Sequence, residues 1–492
     1  MNIREYREDM VGFNREVMRE HLQNLTGKKE ELEVEKIYRR YAHLFDRDAI
    51  SFLEKYHNKK NTRQSRYLRE FCVSGYIARE LAPYQDRIGT TEAKSVVRYE
   101  KEEIPYRYAS VVITNEPDRK RRKGIFDARE AVIRKEINPL YHRSWAKAHA
   151  LAKGLGFRDY RAMCESLSGI DLNKVKNATQ RILSRTSKAY CDLMENALEQ
   201  EKIGVPLKEA EKHDIARVFR AVKFDPAFPK ERMLSSFYRT LKWMGIDLDA
   251  QKNVILDIEE RPKKTPRAFC MPVNPPEEVY LVTMPHGGYD DYMALFHEGG
   301  HTEHFANARK TLDPEFKYLG DNSVTESYAM LLEYLLTNPR WLKEVLSLEN
   351  RVLEDFLCYE RMHKIYFLRR YSAKLRYELQ LHTRGVKGMG KVYRRELEKA
   401  LTFRHPENHY LIDVDSEFYA ARYLRAWMLE RQITLYLTER FGDEWFMNER
   451  AGRFLRTLWS YGQKFNGDEI AEKLGFTGID PAPLTDELTS SI

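Results

Sequence analysis

The sequence is short of chain breakers. Twenty-four glycines and 18 prolines make up about 9 % of its 492 residues, against ~12 % in average composition. That scarcity argues against a many-stranded β architecture and predicts a mostly helical protein. Long apolar runs are missing too. None approaches the ~18 residues of a membrane span, so no membrane partner is expected. The five cysteines (Cys72, Cys164, Cys191, Cys270 and Cys358) are odd in number, scattered and without CxxC spacing. They exclude a disulfide scaffold or a cysteine-built metal module and suit a reducing compartment. The opening MNIREYREDM carries charges of both signs where a secretory leader needs an apolar stretch, so a cytoplasmic protein is expected. An excess of one charge is also lacking. Eighty-three basic and 75 acidic residues leave only +8, too little to imply a nucleic-acid partner.

What is present is mostly helical periodicity. Val34, Ile37, Tyr38, Tyr41, Leu44 and Phe45 recur among charges at helical spacing. A strand is expected at Tyr106–Thr114 (YRYASVVIT). The basic run Arg119–Lys123 after it reads as a solvated hairpin loop rather than a phosphate-binding patch. Pro206, Pro226 and Pro229 mark an irregular stretch. The expected division is therefore a helical domain with a short hairpin over 1–205 and a catalytic domain over 206–492. Further strands are expected at Arg267–Cys270 and Val279–Thr283, with a helix beginning near Asp290 or Asp291.

That helix contains His297-Glu298-Gly299-Gly300-His301, an HExxH motif. Residues four apart on a helix are neighbours, so both imidazoles can converge on one zinc ion. Glu298, one residue on, stands beside such a metal, where a general base can take a proton from water. Two glycines in a helix interior are costly and signal close backbone approach or function. Twenty-five residues after His301, Glu326 lies near the start of a second apolar-faced helix. It completes a His-His-Glu set with an open fourth position. Glu333, seven residues further, is placed to support a ligating histidine. His304 is seven residues from His297, about 10.5 Å along the helix, too far to share the ion, so it reads as a supporting or packing residue.

The segments HEGGHTEH and TESYAMLLE, with RAFC, YLVTM and GGYDDYMALFHE before them, resemble the thimet oligopeptidase and oligoendopeptidase F family of zinc metallopeptidases. The likeness is strong over about 265–335 and weaker over about 405–430, where FYAARY (418–423) is similar to a tyrosine-rich segment of that family. The resemblance implies two helical halves around a deep substrate channel, with a small β-sheet next to the HExxH helix. It implies one zinc ion per chain on His297, His301 and Glu326, and Glu298 activating water. Tyr419 or Tyr423 would stabilise the oxyanion, and the strand Val279–Thr283 would pair with an extended peptide. Tyr280, Gly287, Gly288 and Arg422 would contact substrate. The sequence departs from the family at Val414, where a histidine is usual, and at Ala426, where a tyrosine is usual. His409 could replace the histidine, and Arg422 or Arg425 could meet a substrate carboxylate. The expected activity is internal cleavage of short unstructured peptides. The alternatives are a metallocarboxypeptidase of related fold, whose glutamate-serine pair Glu326-Ser327 matches, and a non-catalytic helical binding protein.

Overall fold

The computed structural model describes residues 2–490. The fold is mainly α, as the scarcity of breakers predicts. Among the described residues five short strands interrupt the helices: β1 (Val96–Tyr99), β2 (Glu102–Pro105), β3 (Val254–Asp257), β4 (Phe269–Asn274) and β5 (Glu278–Val282). Among the described residues no helix is long and apolar enough to cross a membrane.

The chain forms two compact units, each made of three segments. The first comprises Met1–Gly75, Lys223–Leu357 and Arg425–Leu484; the second comprises Tyr76–Val222, Cys358–Leu424 and Thr485–Ile492. This differs from the single cut between 205 and 206 expected from the sequence. The reason lies in three long helices, Arg63–Lys94, Asn350–Arg384 and Tyr419–Phe441, which carry the chain from one unit into the other. Proline content marks local irregularity and is blind to such exchanges.

In the first unit the helix Ile3–Leu25 starts at Asn2, whose side chain accepts the Glu5 N–H. It buries Tyr6, Met10 and Phe13 against Leu44, Phe45 and Leu68. Its far end places Leu22 on Met271 and Val273 of β4. Each such burial is worth about 1.5–3 kcal/mol, so the helix holds down the small sheet. The sheet order is β3-β5-β4, with β3 parallel and β4 antiparallel to β5. Lys264 closes one end of it. Its buried ammonium, with three N–H donors, lies 2.8–2.9 Å from four acceptors that share them: the Asp257 carboxylate and the carbonyls of Asp257, Glu259 and Thr283. Burial alone would raise the Asp257 pKa, but Lys264 and Arg261 outweigh it and hold the carboxyl below its ordinary value.

In the second unit β1 and β2 form a hairpin, but it precedes Tyr106 and is not the one expected around Tyr106–Lys123. The strand expected at Tyr106–Thr114 is instead the helix Tyr106–Asn115. Its β-branched residues favour a strand locally, but Tyr106, Ala109 and Ile113 share a helical face that is buried with Val97 and Ile125. Packing overrides propensity here. The basic run is not a loop either. Arg119–Val132 is a helix capped by Asp118, whose carboxylate accepts the Arg121 N–H. Arg119 and Arg122 turn inward onto fully buried Asp214, at 2.9–3.0 Å.

Removing the charge that both arginines share leaves Arg122 buried without its counter-ion. Asp214→Asn is expected to cost about 3–5 kcal/mol, read as a lower urea midpoint. A loss below ~1 kcal/mol would show that the pair is solvated.

Candidate metal centre

The helix Tyr289–Ala306 begins after a turn whose N–H groups are taken. His286 and Gly287 donate to the Asp291 carboxylate at 2.6 and 3.0 Å, and Gly288 donates to the Phe228 carbonyl at 2.8 Å. Gly287 and Gly288 hold φ of 87° and 90°, which suits glycine. A Cβ on Gly287 would lie 2.9 Å from the Lys230 nitrogen. These two glycines, expected at the substrate, build the turn that aims the helix. Asp291 serves that turn rather than the helix N-terminus.

One turn apart on the helix, the His297 and His301 rings stand 4.9 Å from centroid to centroid. Glu326 comes from the helix Asn322–Glu333. Its Oε2 lies 3.5 Å from Nε2 of His297 and 3.8 Å from Nε2 of His301. All three donor atoms fall within 4.8 Å of one another. Tetrahedral ligation at about 2.0–2.1 Å separates donors by about 3.3–3.4 Å, so small side-chain adjustments let this set hold one ion.

The glycines inside the motif make this convergence possible. A Cβ on Gly300 would lie 2.6 Å from both the Ala329 Cα and the Tyr328 carbonyl oxygen. The two helix backbones thus touch at that point. A Cβ on Gly299 would meet the Phe237 ring at 2.4 Å.

The far side of each imidazole is engaged. Nδ1 of His297 donates to the Glu333 carboxylate at 2.7 Å, the supporting contact expected for Glu333. Burial opposes charge on His297, but Glu326 and Glu333 outweigh it and hold its pKa well above the ordinary value. Nδ1 of His301 meets Thr325 Oγ1 at 2.8 Å, and Nδ1 of His304 meets the same hydroxyl at 3.1 Å. Nε2 of His304 lies 3.2 Å from the Gly462 carbonyl. A carbonyl only accepts, so His304 carries its proton on Nε2 and accepts the Thr325 hydroxyl at Nδ1. That hydroxyl then accepts the His301 Nδ1–H, and His301 presents a bare Nε2 to the donor set. Burial keeps both rings neutral, with pKa values pushed down to about 4 for His304 and about 3 for His301. His304 is therefore a supporting residue acting through Thr325, a residue sequence reasoning missed. Its only local signal is a hydroxyl next to Glu326.

Glu298 is not one of the three donors. Its Oε2 accepts the backbone N–H of Cys270 on β4 at 2.9 Å, and its Oε1 makes no hydrogen bond among the described residues. Burial raises its pKa, partly offset by His297. The substrate strand needs correction. β5, which contains Val279–Val282, lies between β3 and β4, so both its edges are already paired. The edge beside Glu298 is β4, and Pro272 on it is tolerated because an edge strand has outward positions needing no N–H. Tyr280 on β5 donates its hydroxyl to Glu278 at 3.1 Å.

Arg425 is not available to a substrate carboxylate. It is buried, with its guanidinium on Asp468 at 2.9 Å and Asp321 at 3.2 Å. Asp321 also caps the Glu326 helix through the Ser323 N–H. Tyr419, Arg422 and Tyr423 belong to the second unit, where the two tyrosine rings pack edge to face at 5.0 Å. His409, also there, is buried between Lys212 at 2.7 Å and Glu130 at 2.5 Å. It is committed to that network rather than standing in for the missing histidine. No family model matches the chain, and no curated protein matches it. The likeness to known peptidases therefore rests on the quoted segments themselves.

Two outcomes are expected. Gly300→Ala should separate the helices, costing about 2 kcal/mol or more of stability and weakening zinc binding in a chelator competition. Thr325→Val should weaken zinc binding about 10–100-fold, with Thr325→Ser restoring it. Equal affinity in Thr325→Val would remove the hydroxyl from the account.

Proposed function

We propose that the protein is a zinc-dependent metallopeptidase that cleaves internal bonds of short unstructured peptides. The observation that carries this reading is the His297-His301-Glu326 set within 4.8 Å, with a carboxylate beside it that is not one of the three donors. Zinc bound there would polarise the scissile carbonyl and make water acidic near neutral pH.

The chain's own residues supply the rest. Oε1 of Glu298 takes a proton from the attacking water while Oε2 stays on the Cys270 N–H. Glu298 then hands that proton to the departing amine nitrogen, so one carboxylate serves as base and then acid. Glu333 and Thr325 fix the two imidazoles so that each presents Nε2. The β4 edge next to Glu298 offers backbone groups to an extended peptide, the mode in which main-chain bonds give affinity independent of sequence. The assignment of Tyr419 or Tyr423 to the oxyanion follows from the family resemblance alone. The commitment of Arg425 to two aspartates favours internal cleavage over recognition of a terminal carboxylate. The free thiols suit work in a reducing cytoplasm.

The test uses an internally quenched peptide with an amidated C-terminus. The wild type with one equivalent of zinc should cleave it. Glu298→Gln should bind zinc equally well and lose about 10²–10⁴ in rate. Undiminished cleavage by that variant would refute the mechanism. Cleavage only of peptides with a free C-terminus would favour the carboxypeptidase alternative.

A further inference from the structure

The second unit contains a cavity of about 490 Å³ that the peptidase reading does not use. Lys208, Glu211 and Lys212 line it with the segment Thr402–Pro406, the two stretches tied together where the Arg404 N–H donates to the Ala210 carbonyl at 2.9 Å.

Its charge is unbalanced. Two carboxylates line it, and each already has a cation: Glu211 meets Lys123 at 3.0 Å, and Glu398 meets Arg394 at 3.1 Å. Lys208 and Arg404 are exposed, and their side chains have no ion-pair or hydrogen-bond partner among the described residues. The Lys212 ammonium hydrogen-bonds His409, an imidazole that burial and Lys212 itself push down to a pKa of about 4 and keep neutral. Three positive groups therefore border one cavity without a carboxylate bonded to any of them.

His405 gives a second, independent indication. It is 3 % exposed and lines the cavity, yet neither ring nitrogen has a hydrogen-bond partner. Burial and the nearby Lys212 keep the ring neutral, so one nitrogen carries a proton with nothing to accept it. Buried donors are almost always paired. An oxygen-bearing ligand would pair this one. Phe126 and Phe403 add apolar wall, and the volume lies within the range of small-molecule sites.

We propose that this cavity binds a small anion bearing a phosphate group, with Lys208, Lys212 and Arg404 balancing its charge and His405 donating to one of its oxygens. A monocarboxylate would leave two of the three cations uncompensated. A phosphate offers both the charge and the several acceptor oxygens that this donor set matches. The inference stands independently of the peptidase reading, whose donor set belongs to the other unit.

The test is calorimetric titration of the full chain with inorganic phosphate and with pyrophosphate at low salt, wild type against Lys208→Met/Arg404→Met. Both positions are exposed, so the variant should fold, as circular dichroism would confirm. One-site binding that weakens at least about tenfold in the double variant is expected, since each lost cation removes a charge-assisted contact. Three results would overturn the proposal: no saturable binding tighter than about 1 mM, unchanged affinity in the double variant, or acetate binding as well as phosphate.

Discussion

The His297-His301-Glu326 donor set depends on the contact between two helix backbones at Gly300. Glu326 meets two histidines on another helix because the Ala329 Cα and Tyr328 carbonyl come so near that a single added Cβ would sit 2.6 Å from both. Spacing along one helix can bring two imidazoles together, but the third donor needs a second helix at close range. Phe237 presses on the neighbouring Gly299 from another direction and fixes the helix between two surfaces. Two mid-helix glycines cost about 1 kcal/mol each in propensity. Burial of Leu295, Phe296, Val324 and Leu331 around them offsets that cost.

Contact alone would leave the donors free to rotate. What orients them is a set of hydrogen bonds whose directions follow from which atoms can only accept. The Gly462 carbonyl sets the His304 tautomer, His304 sets the Thr325 hydroxyl, and Thr325 sets His301. Glu333 does the same for His297 in one step. The Arg425–Asp321 pair anchors the N-terminus of the helix that carries Glu326. The β4 backbone holds one oxygen of Glu298 through the Cys270 N–H, so a strand rather than another side chain fixes that carboxylate. Thr325 and Glu333 stand on the same helix as Glu326, so one helix carries the third donor and orients both histidines.

The readable parts of the sequence are those whose physics is local. His297 and His301 share a face because they are four residues apart, and Glu333 falls on the Glu326 face because it is seven further on. Strands β4 and β5 overlap the runs Arg267–Cys270 and Val279–Thr283 because their local composition favours a strand in the same way. What could not be read depends on partners distant in the chain. Tyr106–Asn115 has strand-like residues but is helical, because its buried face meets Val97 and Ile125. Arg119 and Arg122 look like surface charge until Asp214, over 90 residues on, is placed beside them. The Thr325 relay closes only through Gly462, 158 residues after His304. The order of the small sheet, which gives the edge to β4 rather than β5, is likewise a property of pairing and not of either strand alone.

The central claim is that His297, His301 and Glu326 converge on a single zinc ion while Glu298 and Cys270, next to it, stay off the metal. X-ray absorption at the zinc edge, on protein carrying one equivalent of zinc, tests this directly. The account predicts a first shell of nitrogen and oxygen only, at about 2.0–2.1 Å, with the outer-shell pattern of two imidazoles. A sulfur neighbour near 2.3 Å would place Cys270 on the metal and contradict the site. Failure to retain one equivalent of zinc would contradict it equally.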